Sequence, residues 1–279
     1  KTHLPQTMHP FQIDNGEGGD MRFIRNVQED KLNLIKPAGF PTLIGGIYPD
    51  SEEYLPNTVA ENAVEFINNT DKSFFLRVSF LQPHTPVVPI NKIVKEYKNL
   101  NLEDVDRTPI DTCEFEKKFA NIIGAKSLSE EQVKNARIYY YALVHWVDIQ
   151  VGKVMDALKA TNNLDNTIIV FNADHGVSLG ESGLYAKHIF APSVHKVPLI
   201  ISYPQKLKPG TEDKICSNID IAKTLCRLAG LSVPQQFKGI DLFSDEENDY
   251  IYSVIGYGLK ESCAFPYKSL GKYSENEGW

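Results

Sequence analysis

The sequence predicts an α/β fold in which helices flank a mostly parallel sheet. Two short and largely apolar segments, 73–80 and 167–171, have the composition of strands buried on both faces. Helical patterns lie between them, and strands that alternate with long helices favour parallel pairing. The chain of 279 residues is 42% hydrophobic and 23% charged, which suits a globular protein with a sizeable core.

The first half of the chain is predicted to contain one helix and one interior strand. Gly, Pro, Asp and Asn are frequent over residues 1–57, which indicates loops. Apolar side chains recur at helical spacing over 57–69, and the strand at 73–80 ends at a proline-containing turn. Residues 91–128 are polar and poorly patterned, so we expect no regular element there.

The second half begins with the longest helical pattern, over 129–160. Acidic residues lie in its first turn, where the helix dipole favours negative charge. The apolar runs 167–171 and 197–203 predict interior strands. A helix predicted over 220–229 ends at Gly230, because glycine readily adopts the left-handed C-cap conformation.

The pattern weakens toward the end of the chain. We therefore expect the main α/β domain at 1–240 and the beginning of a small C-terminal subdomain at 241–279.

Composition and charge argue against two kinds of partner. The formal net charge is −7, from 29 Lys and Arg against 36 Asp and Glu, and no basic cluster stands out, so nucleic acid is not expected. No apolar run approaches the roughly 18 residues of a membrane span. The four cysteines, Cys113, Cys216, Cys226 and Cys263, lack zinc-ligand spacing, which leaves free thiols or two disulfides as the alternatives.

The segment that points most clearly to chemistry directly follows the strand at 167–171. It contains Asp174, His175 and Gly176, at a position where open α/β sheets bind ligands. The Asp and the His offer one carboxylate oxygen and one imidazole nitrogen to a divalent cation, and the glycine permits a sharp turn. The alternative is that Asp174 caps the next element and His175 is a core residue.

Two further residues are candidates for binding an anion. Lys187 follows a Gly-rich segment and would meet an anionic group held by the metal, or else is a surface lysine. His84 follows the strand at 73–80, in a loop stiffened by Pro83 and Pro86, or else is structural. If both strands end at one rim of the sheet, these side chains converge there with the Asp-His pair.

An ordered set of motifs between about residues 60 and 240 resembles a known family. In chain order the motifs lie at 79–86, 139–142, 147–152, 167–171, 174–176, 179–181, 187, 197–200, 220–230 and 237–239. Together they resemble the sulfatase family of the alkaline phosphatase superfamily, in particular the iduronate-sulfatase-like and bacterial sulfatases. The resemblance implies an alkaline-phosphatase-like α/β fold and metal-dependent hydrolysis of a small sulfuric ester, such as a sugar or aryl sulfate.

The resemblance also implies roles for individual residues. Asp174 and His175 match the second pair of metal ligands of the family, whose metal is usually calcium. His84 matches a histidine that contacts the sulfate. Lys187 matches a lysine that holds the sulfate and assists the leaving oxygen.

At the start of the chain, Lys1 and His3 resemble the end of a Gly-Lys-x-His segment, whose Lys and His flank the nucleophile. The nucleophile itself, a formylglycine made within Cys/Ser-x-Pro-x-Arg, and the first metal pair of adjacent aspartates have no match. Both are expected upstream of Lys1. The chain is therefore expected to be a fragment, a processed piece or one of two chains, inactive alone, in a periplasmic, lysosomal or secreted protein.

Two alternatives to a sulfatase remain at this point. One is a phosphodiesterase or phosphonate monoester hydrolase of the same superfamily, for which an Asp-x-x-Gly-His stretch would supply further ligands. No such stretch is present, which favours the one-metal sulfatase type. The other is a non-catalytic protein that keeps the fold and binds an anionic glycan.

Overall fold

The structure is a computed structural model that describes residue 24 and residues 27–36, 45–108, 117, 120, 127–187, 189–257 and 267–273. The described residues belong to two compact units. The first unit comprises those within Lys1–Leu164 and Leu179–Tyr185, and the second those within Asp165–Ser178 and Ala186–Trp279. In the part of the chain described, no helix combines the length and apolarity needed to cross a membrane.

Among the described residues of the first unit, the main helices are α1 at Thr58–Asn69, α2 at Asn91–Tyr97 and α3 at Glu130–Ala160. Both α1 and α2 pack against α3. At the centre, the Trp146 ring of α3 lies edge-on to Tyr54, with centroids 5.3 Å apart, and its Nε1 donates to Asn57 Oδ1 at 3.1 Å. Trp146 is only 1% exposed, so its indole N–H requires such a partner.

The helix predicted at 129–160 is confirmed, and its start is fixed by local sequence. Ser129 Oγ accepts from Gln132 N at 3.2 Å, while Gln132 Oε1 accepts from Ser129 N at 2.9 Å. This reciprocal pair is a capping box, which satisfies two N–H groups that the helix leaves unpaired. The helix predicted at 57–69 is likewise confirmed as α1.

The absence of regular structure predicted for 91–128 is wrong at its start, where α2 forms. The Asp50 carboxylate accepts from Lys92 N at 2.7 Å and from Asn91 Nδ2 at 3.0 Å. Ile93 and Val94 are buried. A helix of seven residues has too short a pattern to show periodicity, and the residue that caps it is distant in sequence.

The interior strand predicted at 73–80 is wrong for the part of the chain described. None of these residues belongs to a β-strand. Burial alternates from Phe74 to Val78, and Phe75 is 74% exposed, so only one face is covered. An extended segment becomes a strand only when a neighbour supplies a ladder, which its own composition cannot report.

The second unit contains the strands predicted at 167–171 and 197–203. They are β1 at Ile169–Asn172 and β4 at Leu199–Ser202, and they pair antiparallel with Ile169 opposite Ser202. Between β1 and β4 in chain order come two strands of two residues each, β2 at Ser178–Leu179 and β3 at Tyr185–Ala186. They pair with each other. The interior parallel strand predicted at 167–171 is therefore wrong in two respects, because β1 is antiparallel to β4 and Phe171 is 38% exposed. Strand direction depends on the connection rather than on strand composition.

Two helices and one pair of strands follow in the described part of the second unit. Helix α4 at Pro192–His195 and helix α5 at Asp220–Leu228 follow, and α5 ends as predicted near Gly230, whose φ is 72°. Strands β5 at Ile251–Tyr257 and β6 at Tyr267–Tyr273 form an antiparallel pair. The domain boundary predicted at residue 240 stays a prediction.

Candidate metal and anion site

The loop after β1 is held in place by backbone packing. Gly176 N donates to Val194 O at 2.7 Å. A Cβ on Gly176 would lie 2.0 Å from Ser193 O, far inside contact distance. Its φ is not positive, so close approach to Ser193, rather than a left-handed conformation, requires glycine here. The side chains of Ser178 and Ser193 add a hydrogen bond of 2.8 Å across the same junction.

The hydrogen bonds of His175 define its protonation. Its Nδ1 lies 2.9 Å from the carbonyl oxygen of Gly176, which can only accept, so Nδ1 carries the proton. Its Nε2 lies 2.8 Å from Lys187 Nζ, and an ammonium can only donate. Nε2 is therefore an acceptor and the ring is neutral. This is the tautomer in which a histidine ligates metal through Nε2 while a backbone carbonyl orients the ring.

Asp174 presents an open carboxylate beside this ring. Its side chain is 84% exposed, and Oδ2 lies 3.6 Å from His175 Nε2. Its Oδ1 accepts from His175 N at 3.0 Å, which fixes the carboxylate against its own loop. Two ligand atoms about 2.4 Å from one cation and at right angles to each other lie about 3.4 Å apart. The pair therefore fits two positions of a divalent cation in distance and in donor chemistry.

Two ligands do not complete a coordination shell. Among the residues that the structure describes, no three or more His, Cys, Asp or Glu side chains cluster in a way that would hold a metal ion. Asp174 and His175 are therefore two candidate ligands, and their binding of a metal stays a prediction.

Lys187 reaches this site from a strained backbone. The residue before it, Ala186, has φ of 72°, a left-handed conformation that non-glycine residues adopt at a cost of about 1–3 kcal/mol. Such strain persists only where the surrounding structure imposes it, and here it immediately precedes the residue whose Nζ contacts His175. An ammonium 2.8 Å from a candidate metal ligand is placed to pair with an anion bound to that metal.

His195 is a neighbour that the sequence patterns did not single out. Its Nε2 donates to Ile189 O at 3.2 Å, its Nδ1 accepts from Ser253 Oγ at 3.3 Å, and its ring stacks on Phe190. Burial lowers the pKa of His195, and the hydrogen bond to Ile189 O opposes that shift only in part. His195 is thus held neutral, as a support for the loop rather than as a cation. Its short helix gave no motif that would have marked it.

The structure brings Asp174, His175 and Lys187 together, all within the second unit. His84 lies in the first unit, where its Nδ1 donates to Thr85 O at 2.6 Å. Its convergence with the other three stays a prediction. Lys1 and His3 lie outside the described residues.

Comparisons with known proteins show the family to which the chain belongs. The family model described as Sulfatase matches residues 13–231. An arylsulfatase of Clostridium perfringens is 29% identical over 216 residues, which are 72% of this chain and 45% of that protein. A choline-sulfatase of Rhizobium meliloti is 31% identical over 202 residues, 67% of this chain and 38% of that protein.

A solved structure supports the fold. The phosphonate monoester hydrolase of Silicibacter pomeroyi matches with a TM-score of 0.66 and 19% identity, over 92% of this chain and 62% of that one. The likeness confirms the α/β fold class that the sequence predicted.

The chain belongs to the sulfatase family. It spans less than half the length of the two curated relatives described above.

Proposed function

We propose that the protein is a metal-dependent sulfuric ester hydrolase whose substrate is a small sugar or aryl sulfate. The observation that carries the proposal is the cluster formed by Asp174, neutral His175 and Lys187, with distances of 3.6 and 2.8 Å to His175 Nε2. This cluster combines two metal ligands with one fixed cation, which are the groups needed to bind a sulfate oxyanion. The family model covers the same residues.

The metal is proposed to be calcium, held by Asp174 Oδ and His175 Nε2 together with ligands outside the described residues. When bound, it would polarise the sulfate oxygens and stabilise their charge as the ester bond breaks. Nδ1 of His175 keeps its proton on Gly176 O, so the ring stays oriented with Nε2 toward the cation.

Lys187 has a role that follows from its charge. Its ammonium donates to His175 Nε2 here, and the same lone pair would ligate the metal. With the metal bound, Lys187 would instead donate to a sulfate oxygen or to the departing alkoxide. In this proposal His84 adds a second contact to the sulfate, as the family resemblance implies.

The nucleophile is proposed to be a formylglycine located outside residues 1–279. None of the cysteines or serines of this chain stands in a Cys/Ser-x-Pro-x-Arg context. The 279-residue chain alone is accordingly expected to show no turnover.

The test uses the full-length protein with matched p-nitrophenyl sulfate, p-nitrophenyl phosphate and p-nitrophenyl phenylphosphonate. We expect a preference for the sulfate ester, loss of activity with a chelator, and recovery with calcium. Asp174→Ala and His175→Ala should each abolish that recovery. Faster hydrolysis of the phosphonate or phosphate would assign the protein to the alternative hydrolases of the superfamily, and no hydrolysis with retained binding of a sulfated glycan would favour the non-catalytic alternative.

A further inference from the structure

A buried carboxylate lies beside the site but takes no part in the chemistry proposed above. Asp220, at the start of α5, is completely buried. Its Oδ1 accepts from Ile240 N at 2.8 Å, and its Oδ2 accepts from Ser217 N at 2.7 Å and from Asn248 Nδ2 at 3.0 Å. Burying a carboxylate requires such partners, and here they come from three separate segments. Asp220 therefore joins the turn before α5 to residues 240–248.

Gly239 shows how closely these segments approach. A Cβ at this position would lie 2.4 Å from Ile219 O and 2.6 Å from Asp220 Cα. Any other residue would push the chain away from α5 and lengthen the hydrogen bond from Ile240 N to Asp220. The motifs at 220–230 and 237–239 in the sequence thus meet at one point, and the geometry of the turn at 217–220 depends on both.

That turn contacts the loop after β1, which carries Asp174 and His175, through one side chain. Asn218 lies between Ser217 and Asp220, and its Nδ2 donates to the carbonyl oxygen of Ala173 at 3.1 Å. Ala173 is the residue between the end of β1 and Asp174. The hydrogen bond therefore fixes the peptide group that precedes the candidate metal ligand.

We propose that Asn218 is a positioning residue for Asp174, and that buried Asp220 holds Asn218 in place. The inference rests on the proposed metal site and names two residues on which its affinity depends. The geometry of a ligating carboxylate follows the backbone that carries it, and residues that orient metal ligands affect affinity by roughly 10- to 100-fold. Because Asn218 is exposed, its removal should affect that geometry more than the stability of the fold.

The test measures calcium affinity by isothermal titration calorimetry in the full-length protein. For Asn218→Ala we expect binding about 10-fold weaker, with the melting temperature in chelator unchanged. Gln236→Ala, another exposed amide, is the control and should leave both quantities unchanged. Wild-type affinity in Asn218→Ala overturns the inference, as does a loss of affinity matched by an equal loss of stability in chelator. If the wild-type protein binds no calcium, the proposed metal site itself fails.

A second variant tests the role of Asp220. Asp220→Asn keeps the shape but replaces one acceptor oxygen by an N–H₂ group, so at least one of the donors Ser217 N, Asn248 Nδ2 and Ile240 N loses its acceptor. We expect weaker calcium binding and a lower melting temperature. The two substitutions should not be additive for calcium affinity, because both act through the same contact with Ala173. Additive effects would show that Asp220 does not act through Asn218.

Discussion

At the scale of single residues, the partners of the two ring nitrogens of His175 determine which nitrogen is free to bind a metal. Nδ1 lies 2.9 Å from the carbonyl oxygen of Gly176, and Nε2 lies 2.8 Å from the Lys187 ammonium. The assignment follows because each partner can act in only one sense, as acceptor or as donor. The His-Lys contact also places a fixed positive charge at the point where an anionic ester would meet the metal.

Lys187→Ala is expected to lower kcat for an aryl sulfate by about 10²- to 10³-fold, as loss of one donor to a developing oxyanion does. The measurement is steady-state kinetics on the full-length protein at saturating calcium. Lys208→Ala, which removes an exposed lysine elsewhere in the second unit, is the matched control. An unchanged kcat in Lys187→Ala would exclude the lysine from the reaction.

Gly176→Ala is expected to destabilise the protein by about 1–3 kcal/mol, the usual cost of forcing extra atoms into a packed position. The added Cβ would lie 2.0 Å from Ser193 O, so the loop or α4 must move. Gly210→Ala is the control, because a Cβ there meets nothing within 4 Å. Urea unfolding of both variants gives the comparison, and equal stabilities would show that the junction is looser than the structure indicates.

At the scale of elements, local signals succeeded where the element contains its own stabilising groups. Helix α3 has its cap, its acidic first turn and its apolar face within one stretch of sequence. Helix α2 and the segment at 73–80 lack such local groups. Helix α2 depends on a hydrogen bond to Asp50, and a strand at 73–80 would need a neighbouring strand, which its own composition does not specify. Strands β1 and β4 were located correctly, but their antiparallel register depends on the path between them.

Ser129→Ala tests the local origin of α3. We expect a loss of about 0.5–2 kcal/mol in the free energy of unfolding, because the substitution leaves Gln132 N without its acceptor. Ser232→Ala, at an exposed position, is the control and should change stability little. Chemical denaturation followed by circular dichroism gives both values. A Ser129→Ala protein as stable as wild type would show that tertiary packing alone sets the start of the helix.

At the scale of the whole molecule, the proposed metal site predicts that metal binding and stability are linked. A ligand that binds only the folded state stabilises it by about 2.7 kcal/mol at 100 times its Kd. We therefore expect calcium to raise the melting temperature of the full-length protein and a chelator to reverse the effect. Differential scanning calorimetry measures the shift, and Asp174→Ala should eliminate it. A shift that survives in Asp174→Ala would place the metal elsewhere.

The sequence by itself determined the α/β class, the helices α1, α3 and α5, and the order of motifs that identifies the family. Local periodicity predicts the helices and strands, and short motifs of metal-binding and anion-binding residue types indicate the family. Only the tertiary structure decided that Lys187 contacts His175, that Gly176 is required by its close approach to Ser193, and that Asn218 contacts the loop after β1. Each of these contacts joins residues 12 to 45 positions apart, or depends on a close approach, and no local pattern specifies where distant backbone segments meet.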